Sequence, residues 1–124
     1  MVDRLLLRTS VPAILLKASV LLDDATPDIV RQKSAIDIQL SVDIAVEQFL
    51  SQALIELVPD AGVLGEENGG ENLDSEYVWI IDGLDGSVNF YAGINQYAIA
   101  VALFRNGEPD FACIYDGSTS RVVW

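Results

Sequence analysis

The chain has 124 residues, 51% of them apolar, with 19 Asp and Glu against 7 Lys and Arg, no histidine and a single cysteine. That is enough for one hydrophobic core and too apolar for a disordered segment, while a net charge of −12 repels phosphate backbones and anionic lipid, so neither nucleic acid nor membrane is an expected partner. Without histidine there is no Ser-His-Asp or Cys-His catalysis and no His-ligated zinc, and Cys113, set among Phe111, Ala112 and Ile114, reads as a buried small hydrophobe compatible with a reducing cytoplasm.

The first 60 residues read as helical. Residues 5–22 are rich in Leu, Ile and Val. Arg8 and Lys17 interrupt them, Asp3 precedes them, and no small-residue cleavage site follows, so a core-facing helix is expected rather than a signal or spanning segment. Ser10 is placed to cap a helix over 11–22, with Pro12 tolerated in its first turn, residues 2–8 either joining that helix or preceding it, and 28–33 could resume a helix after Thr26-Pro27. The clearest helix covers 42–57. Ala45, Phe49, Ala53 and Leu57 form its apolar stripe, and Glu47, Ser51 and Gln52 fall elsewhere.

Strands follow. A short apolar piece, 62–65, ends in Glu66-Glu67, and a polar loop covers 68–76. A buried strand over 77–81 ends at Asp82, and another covers 97–104. Asn106-Gly107 signals a hairpin, 111–115 returns, and Asp116-Gly117 turns into a last strand at 121–124. Helices followed by a strand meander predict an α+β fold with helices packed on an antiparallel sheet. The chain stops on Trp124 inside that last strand, which suggests missing sheet partners and an unpaired edge that would favour a homo-dimer or aggregation.

The charge is unevenly placed. Between Ser34 and Phe104 lie twelve acids and no Lys or Arg; outside that window seven acids balance seven bases. Within it, Asp82-Gly83-Leu84-Asp85-Gly86-Ser87 puts two carboxylates and a carbonyl at a strand end, an all-oxygen cluster suited to a hard divalent cation. Gly86 leaves room for a ligand against the backbone, and Ser87 can cap a short helix whose N–H groups would face a phosphate. Ordinary Asx-turn chemistry accounts for the same residues without a metal. An EF-hand does not, because Leu84 would hold its third position and Gly93 its twelfth. If the 62–65 strand neighbours the 77–81 strand, Glu66 faces Asp82 at one sheet end; otherwise Glu66-Glu67 is a solvated loop. Asp43, opening the 42–57 helix, could simply favour the helix dipole.

Taken in order, Asp37…Asp43, Gly65-Glu66-Glu67 and the string from Trp79 through Asp82-Gly83-Leu84-Asp85-Gly86-Ser87 to Phe90 resemble the inositol monophosphatase family, whose superfamily includes fructose-1,6-bisphosphatases and nucleotide 3′-phosphatases. The resemblance runs from about residue 10 to the C-terminus and covers the N-terminal part of that family's α/β sandwich. It implies Mg²⁺-dependent hydrolysis of a small phosphorylated metabolite, preferably an inositol phosphate, with two or three ions in the complete site. Glu66, Asp82 and the Leu84 carbonyl would hold the first ion, and Asp82 and Asp85 would contribute to a second. Ser87, partnered by Asp43, would orient the attacking water, Gly86 and Ser87 N–H groups would hold the phosphate, and Glu67 would stand behind the ligands. The sequence departs from the family at Gly83, where proline is common and glycine is expected to loosen the turn. It also departs at Gln39-Leu40, where the family threonine is missing, and it lacks the later aspartate that completes the second metal site. The resemblance therefore also implies a single truncated domain over 1–124, and the rival reading is a non-catalytic remnant that binds metal or a partner.

Overall fold

The structure, a computed structural model, describes residues 1–34 and 38–124; Asp37, one of the motif residues above, lies outside them. The elements are α1 (Arg4–Asp23), β1 (Ile29–Gln32), β2 (Ile38–Leu40), α2 (Ser41–Leu57), β3 (Gly62–Gly65), β4 (Gly69–Glu71), β5 (Tyr77–Asp85), α3 (Ser87–Tyr91), β6 (Ala98–Arg105), β7 (Glu108–Asp116) and β8 (Arg121–Val123).

Helix α1 starts earlier than Ser10. Asp3, in extended backbone, caps it by accepting the Leu5 N–H at 2.9 Å. Pro12 therefore sits inside the helix, where it supplies no N–H for the Arg8 carbonyl. The helix tolerates that loss because Leu7, Val11, Leu15, Ala18 and Leu22 form one buried stripe. Among the described residues α1 is the helix long and apolar enough to cross a membrane by length and composition alone. At its N-terminus the Arg4 guanidinium donates to the Asp110 carbonyl and carboxylate, both at 2.8 Å, which ties the helix to β7.

Residues 29–32 form a strand, not a resumed helix. Thr26 precedes a proline, which disfavours helical backbone, and Ile29-Val30 are β-branched. This strand pairs antiparallel with β2. The stripe of α2 also lies elsewhere than expected: Val42, Val46, Leu50 and Leu54 are buried, Ala45 is exposed, and Phe49, Ala53 and Leu57 are half-buried. Glu47, expected off the core face, is completely buried.

The main sheet has the order β4-β3-β5-β6-β7-β8. It is mixed. Strands β5 to β8 run as an antiparallel meander, while β3 and β5 are parallel, with Gly65 opposite Ile81. The polar loop after Glu67 contains β4, which pairs antiparallel with β3. Asn106 and Gly107, both at positive φ (50° and 80°), make the β6–β7 hairpin, as their sequence predicts.

Helices α1 and α2 cover one face of the sheet, α2 against β5 and β3, α1 against β7 and β8. Trp79, Ile81, Ile99, Val101, Leu103, Cys113 and Tyr115 fill the layer between. Burial pushes the Cys113 thiol up to about 11, as befits a core hydrophobe. On the opposite face Leu64, Ile80 and Ile114 are exposed, with Ala102 and Ala112 in register beside Ile80.

Trp79 is fully buried and its indole N–H has no acceptor among the described residues. Trp79→Phe is therefore expected to change the unfolding free energy by less than about 1 kcal/mol. The lost ring volume is offset by removing a buried donor whose burial without a partner costs ~1–3 kcal/mol. Urea unfolding checks this, and a loss above about 3 kcal/mol would show that the indole is bonded.

Candidate active site

The parallel β3–β5 pair decides the geometry. Because Gly65 lies opposite Ile81, the residues that follow them, Glu66 just beyond β3 and Asp82 within β5 and still paired with Ala100, stand side by side at one end of the β3–β5 pair. A bulge between Asp82 and Asp85 then carries the chain into α3. Glu66, Glu67, Asp82, Leu84, Asp85, Gly86 and Ser87 consequently line one cavity of about 240 Å³, together with Lys33.

Gly83 does not loosen a turn. It is a buried strand residue with no positive φ, and its glycine identity answers a close approach: a Cβ there would stand 3.0 Å from the Glu47 backbone nitrogen. Gly86 is the residue that needs backbone freedom, with φ of 90° and the Gln96 carbonyl 2.8 Å from any added Cβ. It also caps α3, the role expected of Ser87. The Ser87 hydroxyl reaches instead to Asp43, 3.1 and 3.3 Å from the two carboxylate oxygens, and lies 3.3 Å from the Leu84 carbonyl.

Asp43 sits in the first turn of α2, where its carboxylate accepts the Leu40 N–H at 2.7 Å. The dipole reading and the Ser87 partnership are thus both served by one buried side chain. Burial pushes its carboxyl up to about 6, against the opposing bonds from Leu40 and Ser87. Asp82 is raised to about 6 as well, by burial first and then by the neighbouring charges of Glu66 and Asp85.

Lys33, Glu47 and Asn68 were not singled out as site residues from sequence, and Gln39 was noted only as a family departure. The Lys33 ammonium donates to Glu66 at 3.2 Å and to Glu67 at 2.9 Å. Burial opposes its charge, but those two bonds prevail and raise its pKa. Gln39 donates from its side-chain amide to the other Glu67 oxygen, so the polar residue at that position is used. Glu47 accepts the Glu67 N–H at 2.9 Å and both the backbone and side-chain N–H of Asn68 at 2.5 Å. The available signal was the alternative stripe Val42, Val46, Leu50, Leu54, which brings positions 43 and 47 to the border of the buried face.

The donor set is all oxygen and mostly anionic, which suits Mg²⁺. The raised Asp82 shows that burial and neighbouring acids oppose its charged form, a cost that a cation would relieve. Among the described residues no three carboxylates close around one point, and Glu66 turns to Lys33. The described residues suit the ion in donor type but do not gather around one point, and Glu66 would have to leave Lys33 to engage it.

The metal-free chain should become more stable as pH falls from 8 to 5. Asp43 and Asp82 have folded pKa values about 6 against 3.8 for the unfolded chain. The folded state therefore binds protons more tightly, and that stabilisation, complete below the unfolded value, is lost as pH rises through 6. Thermal melts in chelator at both pH values test this; a higher melting temperature at pH 8 would contradict the buried placement of these carboxyls.

A helix-covered mixed sheet with acids gathered at its strand ends defines the class. The chain belongs to the inositol monophosphatase family, whose model matches residues 6–124. It is similar to a protein of Xylella fastidiosa named Nus factor SuhB, 41% identical over 85 residues, covering 68% of this chain and 30% of that protein. It is also similar to the inositol-1-monophosphatase of Caulobacter vibrioides, 39% identical over 97 residues, covering 77% of this chain and 38% of that one. The crystal structure of extragenic suppressor protein suhB from Bartonella henselae superposes with a TM-score of 0.83 at 27% identity, covering 94% of this chain and 46% of that structure. The chain thus spans less than half the length of these relatives.

Proposed function

We propose that the chain carries the metal-binding and water-orienting part of a Mg²⁺-dependent phosphomonoesterase site, with a small phosphorylated polyol such as an inositol phosphate as substrate. The observation that supports this is the parallel β3–β5 register, which puts Glu66 beside Asp82 at one sheet end, next to the Ser87–Asp43 pair. Glu66, Asp82 and the Leu84 carbonyl would hold one Mg²⁺, and Asp82 and Asp85 part of a second. When bound, such ions neutralise phosphate charge and lower the pKa of water.

The chain's own residues do the rest. With its proton donated to Asp43, the Ser87 oxygen is free to accept a hydrogen bond from the attacking water and turn it. Asp43, with a carboxyl at about 6, can take a proton near neutral pH. Gly86 and Ser87, on the cavity wall, supply the N–H groups proposed to hold the phosphate. Lys33 keeps Glu66 and Glu67 paired until a cation competes.

The test is hydrolysis of inositol-1-phosphate by the chain with Mg²⁺, with and without Li⁺. Metal-dependent, lithium-sensitive turnover that disappears in Ser87→Ala supports the reading. Mg²⁺ binding without turnover would leave this chain a metal-binding remnant, the rival reading.

A further inference from the structure

We propose that Glu47 is a positioning residue of this site, holding the Glu66 arm and the Asp82 arm in fixed relation through one buried carboxylate; the inference rests on the metal-dependent reading above. Glu47 is completely buried, one helical turn beyond Asp43 on α2. Its two carboxylate oxygens accept three N–H bonds from Glu67 and Asn68, the residues that follow Glu66. On the other side of Glu66, a Cβ at Gly65 would lie 2.3 Å from the Glu47 carboxylate carbon, so that glycine exists in contact with the same side chain. The backbone of Glu47 meanwhile packs on Gly83, the residue after Asp82, close enough that a Cβ there would stand 3.0 Å from its nitrogen. One residue therefore touches the chain immediately before and after Glu66 and immediately after Asp82. Glu47 itself does not line the cavity, so its effect on the site is exerted through these backbone contacts.

The deciding variant is Glu47→Asp, which keeps the acidic charge but is one methylene shorter and cannot reach all three donors. Mg²⁺ affinity of the 124-residue chain is measured by calorimetry at a temperature where circular dichroism shows each variant folded, and exchange of the Glu67 and Asn68 amides by NMR. The expected result is at least a tenfold loss of Mg²⁺ affinity with at least tenfold faster exchange at both amides, while Glu56→Asp, on the exposed part of the same helix, stays within twofold of wild type. Affinity within twofold of wild type in Glu47→Asp, whatever the exchange rates, assigns Glu47 to fold maintenance alone and overturns the proposal. If Glu47→Asp does not fold, Glu47→Gln, which keeps length but loses one acceptor oxygen, is held to the same thresholds. Failure of both to fold with Mg²⁺ present also overturns it. A wild-type chain that binds no Mg²⁺ defeats the metal reading itself, a result distinct from equal binding by wild type and variant.

Discussion

Asp82→Asn is expected to abolish the Mg²⁺-dependent rise in melting temperature of this chain and, in chelator, to raise the melting temperature above that of wild type. Both effects follow from one environment. Asp82 is half-buried in β5 where its bulge begins, and burial, then Glu66, then Asp85, push its carboxyl up to about 6. The local compensation is the Leu84 N–H at 3.3 Å, too long to offset much. Asparagine keeps the shape, removes the charge and so relieves the metal-free protein at neutral pH. It also withdraws the carboxylate proposed to belong to both ion sites. At Mg²⁺ one hundred times its dissociation constant, linkage stabilises wild type by ~2.7 kcal/mol, worth roughly 10 °C in a domain of this size. Asp85→Asn should reduce that shift without abolishing it, because Asp85 is exposed and proposed for one ion only. A Mg²⁺ response in Asp82→Asn equal to wild type would remove Asp82 from the site.

The second large effect is steric. Gly65→Ala should destabilise the fold by more than ~3 kcal/mol, at the upper end of what overpacking a core costs. The added carbon would lie 2.3 Å from Cδ and 2.5 and 2.7 Å from the oxygens of Glu47. A flexible side chain usually yields to such a clash, but this one is completely buried and pinned by three N–H donors. Moving it leaves those donors without partners. The double variant Gly65→Ala with Glu47→Ala should consequently cost less than the sum of its parts, since the truncation that loses the bonds also makes room for the methyl group. Urea unfolding of the four proteins gives the coupling. Strict additivity would mean that the two residues do not touch.

How much of this was legible in the sequence depends on whether the information was local. The Asn106-Gly107 hairpin and the strands around it were readable because turn chemistry and alternation are contained in a few residues. The meander was foreseen for that reason; its register, with a shift between Leu103 and Phe104, was not. The side-by-side placement of Glu66 and Asp82 was legible only as a condition on strand neighbours, and the parallel β3–β5 pair meets that condition. Three misreadings have physical causes. Ser10 looked like a cap because serine favours that position, with residues 2–8 left open; α1 buries Leu7, and a residue that buries itself at that depth draws the helix back to Asp3. Glu47 was placed off the core face because acids are rarely buried. No local pattern announces three N–H donors arriving from a loop twenty residues away. Gly83 was misread for the converse reason: glycine suggests freedom, and here it answers crowding by a helix.

Asp43 and Glu47 both stand on α2, four residues apart, and reach different parts of the cluster: Ser87 in one case, the segment after Glu66 in the other. The separation between those two holds is set by the rise of an α-helix, about 6 Å over four residues, and not by any loop. The exposed loop at 72–76, beyond β4, takes no part in either hold, so residues inserted there should leave the cluster intact. A single residue inserted in α2 between Asp43 and Glu47 would instead swing one carboxylate about 100° around the helix axis relative to the other, breaking one of the two holds while leaving every residue of the site in the sequence.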